Sequence, residues 1–222
     1  MKAYDTYIFD LDGTLLNTIA DLSAACNYAL ENNGFPLHTT EAIQTMVGNG
    51  IGKLIERALP QEVSQEAYEK TLHDFHIYYA KHSMVNTLPY PGIINMLNEL
   101  HRQGKKMAVV SNKISDVTET LCQHYFGERI GIALGDDGVT RRKPFPDKVY
   151  KAIEMLNADP ETTVYVGDSE VDIATAKAAH LPCISVTWGF KSRQFLQDAG
   201  AETIIDDPKE ILNYTNVNHL DL

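Results

Sequence analysis

Short apolar, β-leaning runs recur along the chain, and each stops at a polar residue or a glycine. They are Tyr7 to Phe9, Met107 to Val110, Ile130 to Leu134, Val164 to Val166, Ile184 to Thr187 and Thr203 to Ile205. Runs of this length and boundary predict buried strands. Between most of them, apolar residues recur at helical spacing, as in Ile93, Met96, Leu97 and Leu100, or Val149, Ile153 and Leu156. That spacing puts the apolar residues of each stretch on one face of a helix. Strands alternating with helices predict a parallel α/β sheet, and ligands bind such sheets beyond the carboxyl ends of the strands. The residues just after each apolar run are therefore where chemistry is expected.

One connection breaks this rhythm. Roughly 75 residues separate Thr14 from Pro91-Gly92, whereas a strand-to-helix loop normally takes about 2–6. The intervening sequence carries helical stripes: Leu22, Ala25, Cys26, Ala29 and Leu30, then Leu54, Ile55, Ala58 and Leu59, then Leu72, Phe75 and Tyr79. The expected organisation is an α/β core, 1–15 and 92–222, carrying an inserted helical cap domain, 16–91. The polar tail after Asn213 is expected to fray.

Composition narrows the class. A chain of 222 residues buries a sizeable core without disulfide staples, and 44% hydrophobic with 22% charged residues is ordinary for a soluble globular protein. Thirty acidic against nineteen basic residues give a net charge of −11, a poor match to nucleic acid or anionic lipid. Neither is expected as a partner. The three cysteines form no CxxC pair and read as small core hydrophobes. The amino terminus turns acidic at Asp5 and Asp10, which leaves no room for a secretion signal. No apolar run approaches the roughly 20 residues of a membrane helix. A cytoplasmic address is expected.

At the strand ends the residues change character. Asp10-Leu11-Asp12-Gly13-Thr14 follows the first run, Ser111-Asn112-Lys113 the second, and Gly167-Asp168-Ser169 the fourth, with Asp172 just beyond; Lys143 precedes that fourth strand. In a parallel sheet these groups converge at one edge. Two carboxylates about 4 Å apart repel by roughly 4 kcal/mol at an effective dielectric near 20, so such a cluster is partly protonated or holds a cation. All-oxygen donors favour a hard ion, magnesium first, with calcium or manganese as alternatives. A metal beside an ammonium and a hydroxyl suits phosphoryl transfer, whose transition state spreads charge over equatorial oxygens. One carboxylate of a DxD pair would attack while the other serves as acid and base. Singly, Asp-Gly turns and a helix-capping Asp168 are ordinary structural features. Three such sets in chain order, with a lysine between the second and third, are hard to obtain from turn chemistry alone.

On these residues the chain resembles the haloacid dehalogenase superfamily phosphatases, whose four motifs match Asp10 to Thr14, Ser111, Lys143, and Gly167-Asp168 to Asp172 in order. The resemblance implies a Rossmann-like core with a helical cap inserted after the first strand. It implies Asp10 as nucleophile, Asp12 as acid and base, and Ser111 and Lys143 holding the phosphoryl group, with Thr14 and Asn112 beside them in substrate binding. Magnesium is implied on the Asp10 carboxylate, the Asp12 backbone carbonyl and Asp168, with Asp172 as ligand or support. The cap segment from Val47 to Leu59 and the later Trp188-Gly189 are similar to those of phosphoglycolate phosphatases. A Gly-Asn-Gly loop opening a helix, with Gly50, Lys53 and Arg57, would receive the carboxylate of such a substrate.

Two departures bear on substrate: Asn17 stands where many members have Asp, and Val171 where phosphoglycolate phosphatases often have Asn. Pyrophosphatases of the superfamily also carry Asn at the first position. Inorganic pyrophosphate and sugar phosphates, by hydrolysis or by phosphomutase chemistry, stay open as alternatives. So does a receiver-type phosphoacceptor switch, which the DxD spacing, the cap and the position of Lys143 disfavour. The expected partner is a small phosphorylated metabolite, acted on by a monomer or homodimer. Other patterns lead nowhere: Gly52-Lys53 lacks the flanks of a P-loop, and His73 and His76 lack further metal ligands nearby. Tyr78 and Tyr79 read as helix-packing residues.

Overall fold

A computed structural model of the protein describes residues 2–215. The first strand, β1 (Thr6–Phe9), leads through β2 (Leu16–Asn17) into four helices: α1 (Ile19–Asn32), α2 (Thr40–Met46), α3 (Ile51–Ala58) and α4 (Gln65–His82). β3 (Leu88–Pro89) then returns the chain to the sheet side. The remainder alternates: α5 (Ile93–Arg102), β4 (Lys106–Ile114), α6 (Ser115–Phe126), β5 (Ile132–Asp136), α7 (Asp147–Met155), β6 (Thr163–Gly167), α8 (Glu170–Ala178), β7 (Cys183–Val186), α9 (Arg193–Asp198) and β8 (Thr203–Ile205). This is the parallel α/β architecture that the strand–helix alternation predicts and the Rossmann-like core that the resemblance implies.

The main sheet has six strands in the order β5-β4-β1-β6-β7-β8, all pairs parallel. From β1 the chain builds outward through β4 and β5, then crosses to β6 on the other side. β1 is thus flanked by β4 and β6 at the point where the strand order reverses, where open α/β sheets form their ligand crevice. Phe9 is level with both Val109 and Val166, so the residues that follow these strands emerge side by side.

The sheet is buried on both faces, which is why its central strands show no polar alternation. Tyr7 and Phe9 join Met107, Val109, Val164 and Val166 against Leu97 and Leu100 of α5 and Leu121 and Phe126 of α6. Ile8, Ala108, Val110 and Tyr165 point the other way, onto Val149 and Ile153 of α7 and Ala176 of α8. A period-2 backbone divides consecutive apolar residues between two helical layers.

The insert has its own core: Leu22, Ala25, Cys26, Ala29 and Leu30 of α1 pack with Leu54, Ile55 and Ala58 of α3 and Phe75 and Tyr79 of α4. These are largely the stripes visible in the sequence. Helix α2 was not among them, because it is short and buries only Ile43. Thr39 opens it by accepting a hydrogen bond from the Ala42 N–H. The two chain crossings to the insert pair as an antiparallel ribbon, Leu16 with Pro89 and Asn17 with Leu88. Asp21 fastens this ribbon to α1, its buried carboxylate accepting from the Asn86 and Thr87 backbones and both side chains at 2.8–3.0 Å.

Three expectations need correction. β4 runs on past Val110 to Ile114, so Ser111, Asn112 and Lys113 lie within the strand, not after it. β5 begins at Ile132, since Ile130 belongs to the preceding turn. The tail does not loosen at Asn213: the Tyr214 carbonyl accepts from the Tyr4 N–H at 2.7 Å and the Tyr7 hydroxyl at 2.9 Å. The rest of the expected fraying, 216–222, lies outside the described residues. Among the described residues no helix is long and apolar enough to cross a membrane.

Candidate active site

The carboxyl ends of β1, β4 and β6 bring the sequence-predicted residues together. Asp10 leaves β1 with its N–H donating to the Val166 carbonyl at 2.9 Å, and its Oδ1 accepts from the Leu11 N–H at 2.7 Å. Lys143 enters from the loop before α7 and places its Nζ 2.8 Å from Asp10 Oδ1 and 2.8 Å from Asp172 Oδ1. The Tyr165 hydroxyl accepts from the same ammonium at 3.2 Å. Asp172 is fixed from its other oxygen, which accepts from the Ser169 N–H at 3.1 Å and hydroxyl at 2.6 Å as part of the capping box opening α8. A capping residue and a site residue are here the same residue.

Asp168 follows β6 and lies close to both Asp10 and Asp172. Its Oδ2 accepts from the Phe190 N–H at 2.7 Å, and its Oδ1 accepts a long 3.4 Å bond from the Thr14 hydroxyl. No lysine or arginine among the described residues pairs with it. The fit around it is close: a methyl group at Gly13, whose φ is +83°, would overlap the Asp168 carboxylate, and one at Gly189 would overlap both that carboxylate and the Gly13 carbonyl. Glycine is therefore required at both positions by contact and, at Gly13, also by backbone conformation.

The donor set fits a hard divalent cation. Oxygens of Asp10, Asp168 and Asp172 lie within 4.8 Å of one another, all three residues are buried, and one ammonium serves only two of them. Burial pushes the Asp10 carboxyl up from its ordinary range, the Asp172 charge adds to this, and Lys143 opposes it. Asp168 is held well above the ordinary carboxylate value by burial, then by Asp172 and Asp10. For Lys143, burial alone would lower the pKa, but the Asp10 and Asp172 charges outweigh it and keep the amine protonated. Magnesium at these oxygens would relieve the same repulsion that otherwise favours protonated acids.

Above the cluster is a small cavity of about 80 Å³ whose walls come from both layers. Core residues Asp10, Asp12, Ser111, Asn112, Lys113, Lys143 and Asp168 form its polar part, and Leu22, Val47, Ile51 and Leu54 of the insert form an apolar side. Gly50, with φ +87°, lines it as expected and caps α3 through its carbonyl, which accepts from the Leu54 N–H at 3.2 Å.

Several residues expected to contact substrate also have partners within the protein. Asn112 Oδ1 accepts from the Lys143 N–H at 2.8 Å and its Nδ2 donates to the Lys143 carbonyl at 3.1 Å, so its amide clamps the Lys143 backbone. Thr14 is absent from the cavity wall and serves Asp168 instead. Lys53 pairs with Glu56 at 2.6 Å on the exposed side of α3, a consequence of their i,i+3 spacing. Arg57 donates to the Met46 and Gly48 carbonyls at 2.6 and 3.0 Å and braces the loop from behind. Neither Lys53 nor Arg57 lines the cavity. Asn17 sits in the ribbon, with its Oδ1 accepting from the Ile19 N–H at 3.4 Å, and is not part of the cavity wall, whereas Val171 lines the cavity.

Two lysines were missed. Lys113 is buried, with its Nζ 3.0 Å from Asp12 Oδ1, near enough for an ion pair though not aligned as a hydrogen bond; the same Nζ donates to the Tyr79 hydroxyl at 2.6 Å. Its signal in the sequence is its place in the polar run Ser111-Asn112-Lys113, directly after the apolar stretch that ends at Val110. Lys191 lines the cavity from the segment after β7, the next strand end in the sheet.

A parallel α/β sheet with a buried acidic triad, an ammonium and a hydroxyl at its switch point, roofed by a helical insert, defines a class of hydrolases with an α/β core. The model of the haloacid dehalogenase-like hydrolases matches residues 7–186. The chain belongs to that family. It is 36% identical over 198 residues to a phosphoglycolate phosphatase of Neisseria meningitidis, an alignment covering 87% of this chain and 84% of the relative. It is 33% identical over 211 residues to a phosphoglycolate phosphatase of Pseudomonas putida, covering 92% and 77%. A crystal structure of a Lactobacillus delbrueckii subsp. bulgaricus protein, provisionally assigned as a phosphoglycolate phosphatase, superposes with a TM-score of 0.92 at 35% identity, covering 97% of this chain and all of that one.

Proposed function

We propose that this protein is a magnesium-dependent phosphoric monoester hydrolase that converts 2-phosphoglycolate to glycolate and inorganic phosphate through an aspartyl-phosphate on Asp10. The observation that carries the reading is the buried arrangement in which Lys143 joins Asp10 to Asp172 while Asp168 completes an oxygen cluster beneath a small cavity.

Asp10 Oδ1 already takes two donors, whereas Oδ2 takes none among the described residues and is the freer nucleophile. Its attack forms a P–O bond to the carboxylate as the ester P–O bond breaks. The departing glycolate oxygen takes the proton that Asp12 carries. Asp12 then removes a proton from water, which attacks the same phosphorus, releases phosphate and regenerates the Asp10 carboxylate. Ser111 and Lys143 hold the non-bridging oxygens of the transferred phosphoryl group, and Asn112 keeps Lys143 in place through its backbone. Magnesium, when bound, supplies positive charge that offsets the crowded carboxylates and the phosphoryl oxygens.

The choice of 2-phosphoglycolate rests on the activity for which the relatives are named. The test is phosphate release from 2-phosphoglycolate, pyrophosphate and hexose phosphates in magnesium, compared by kcat/KM, with Asp10→Asn as control. The reading predicts the highest kcat/KM for 2-phosphoglycolate and loss of turnover in the variant. A higher value for pyrophosphate or a sugar phosphate overturns the substrate, and full activity of Asp10→Asn overturns the mechanism.

A further inference from the structure

The substrate proposed above has two anionic ends, and the cluster accounts for one. Around the cavity the cations can be sorted by what they already hold. Lys143 is bound by Asp10 and Asp172, and Lys113 by Asp12 and Tyr79. Arg142, near Gly50, is paired with Asp136 at 2.6 Å. Lys53 is paired with Glu56, and Arg57 is turned onto the loop backbone. Among the described residues Lys191 is the cavity-lining ammonium with no carboxylate partner: its Nζ makes one long 3.3 Å bond to the Val47 carbonyl and lies 5.3 Å from the centre of the Phe195 ring.

The segment carrying Lys191 is also rigidly placed. The Trp188 Nε1 donates to the Thr14 carbonyl at 2.9 Å, Gly189 lies too close to Asp168 and Gly13 for any side chain, and the Phe190 N–H holds Asp168 at 2.7 Å. The residue after these three contacts therefore has its backbone fixed relative to the acidic cluster, while its ammonium reaches the cap loop. Glu170, whose carboxylate approaches Gly48, is not part of the cavity wall.

We infer that Lys191 is the specificity-determining residue for the substrate's far end, where its ammonium pairs with the carboxylate of a short phosphorylated acid. Recognition of the tail then comes from the core, on the same segment that positions Asp168, and the Gly48–Gly50 loop closes over it. The bond to Val47 is weak enough by length to be exchanged for a charge-assisted one.

The inference rests on the phosphatase reading only for its kinetic arm. In that arm, kcat/KM is compared for 2-phosphoglycolate and for ethyl phosphate, an ester of the same length with a neutral tail. Lys191→Met is expected to lower the ratio of the two by about 10- to 100-fold, mainly through KM, and Lys191→Arg to keep most of it. Equal losses on both esters would make Lys191 a clasp for Val47 and overturn the inference, as would a wild-type ratio near one. A larger loss on ethyl phosphate than on 2-phosphoglycolate likewise overturns the carboxylate assignment. In the binding arm, calorimetry measures both esters against Asp10→Asn with and without Lys191→Met. A Lys191-dependent preference for phosphoglycolate there supports the inference even if no ester is turned over, an outcome that would sink the enzymatic reading alone.

Discussion

The Tyr79 hydroxyl, on cap helix α4, accepts a 2.6 Å hydrogen bond from the Lys113 ammonium on core strand β4, and that ammonium stands 3.0 Å from Asp12 Oδ1. The ring also lies 4.6 Å from the charge. Burial works against the Lys113 ammonium, yet Asp12 and Tyr79 outweigh it and hold it charged. A cap residue thus holds the side chain that holds the proposed acid and base. Tyr79→Phe is expected to lower kcat about three- to tenfold with a smaller change in KM, and Lys113→Met to lower it further. The double variant should fall no further than Lys113→Met alone, because both act on one chain of contacts. Additive losses in steady-state kinetics would show that Tyr79 acts independently.

Gly189 leaves no volume for a side chain beside Asp168 and the Gly13 carbonyl. Gly189→Ala should displace Asp168 and raise the magnesium concentration needed for half-maximal activity at least about tenfold, while lowering Tm. Titration of activity against magnesium, with thermal unfolding alongside, checks both. Wild-type magnesium dependence would mean that the Asp168 position tolerates movement.

Folding raises the proton affinity of Asp10 and Asp168 above the ordinary carboxylate value of 3.8. Above that value the unfolded chain therefore binds fewer protons than the native one, and this pair makes stability fall as pH rises, until their raised pKa values are passed. His76, whose pKa burial lowers from 6.5, acts in the opposite sense as pH falls through that value. The clean readout is the magnesium-induced shift in Tm, because the ion takes up the same carboxylates only when they are deprotonated. That shift should grow between about pH 5 and 8 and shrink at all pH values in Asp168→Asn. A shift independent of pH would remove the cluster as the ion's site.

Arg57 braces the cap loop by donating to the Met46 and Gly48 carbonyls. Its loss should loosen the loop without removing any charge from the cavity wall. Arg57→Ala is expected to raise KM about two- to fivefold for phosphoglycolate and for ethyl phosphate alike, while Lys53→Ala changes neither by more than about twofold. An effect of Arg57→Ala confined to phosphoglycolate would restore it as an anion-binding residue.

Most of the core was legible in the chain. The six apolar runs became β1 and β4 to β8, because strands buried on both faces need uninterrupted apolar residues and leave that mark whatever surrounds them. Asp10, Ser111, Lys143, Asp168 and Asp172 were legible for a related reason: a parallel sheet delivers the ends of neighbouring strands to one edge, so position along the chain predicts position in space. The ribbon of β2 and β3 was not legible, since two-residue strands far apart in sequence are defined only by pairing with each other.

The cap contacts divide along the same line. Lys53 and Arg57 follow a glycine loop and read as anion ligands, but helix geometry turns one to Glu56 and the other behind the loop. Asn112 and Thr14 read as substrate contacts, yet Lys143 and Asp168 take their polar groups. The sequence determined the sheet, the insert and the acidic chemistry, because these depend on local periodicity and on residues at strand ends. Only the tertiary structure decided which cations remain unpaired over the cavity and that Tyr79 touches Lys113, because those outcomes depend on side-chain competition among segments that meet only after folding.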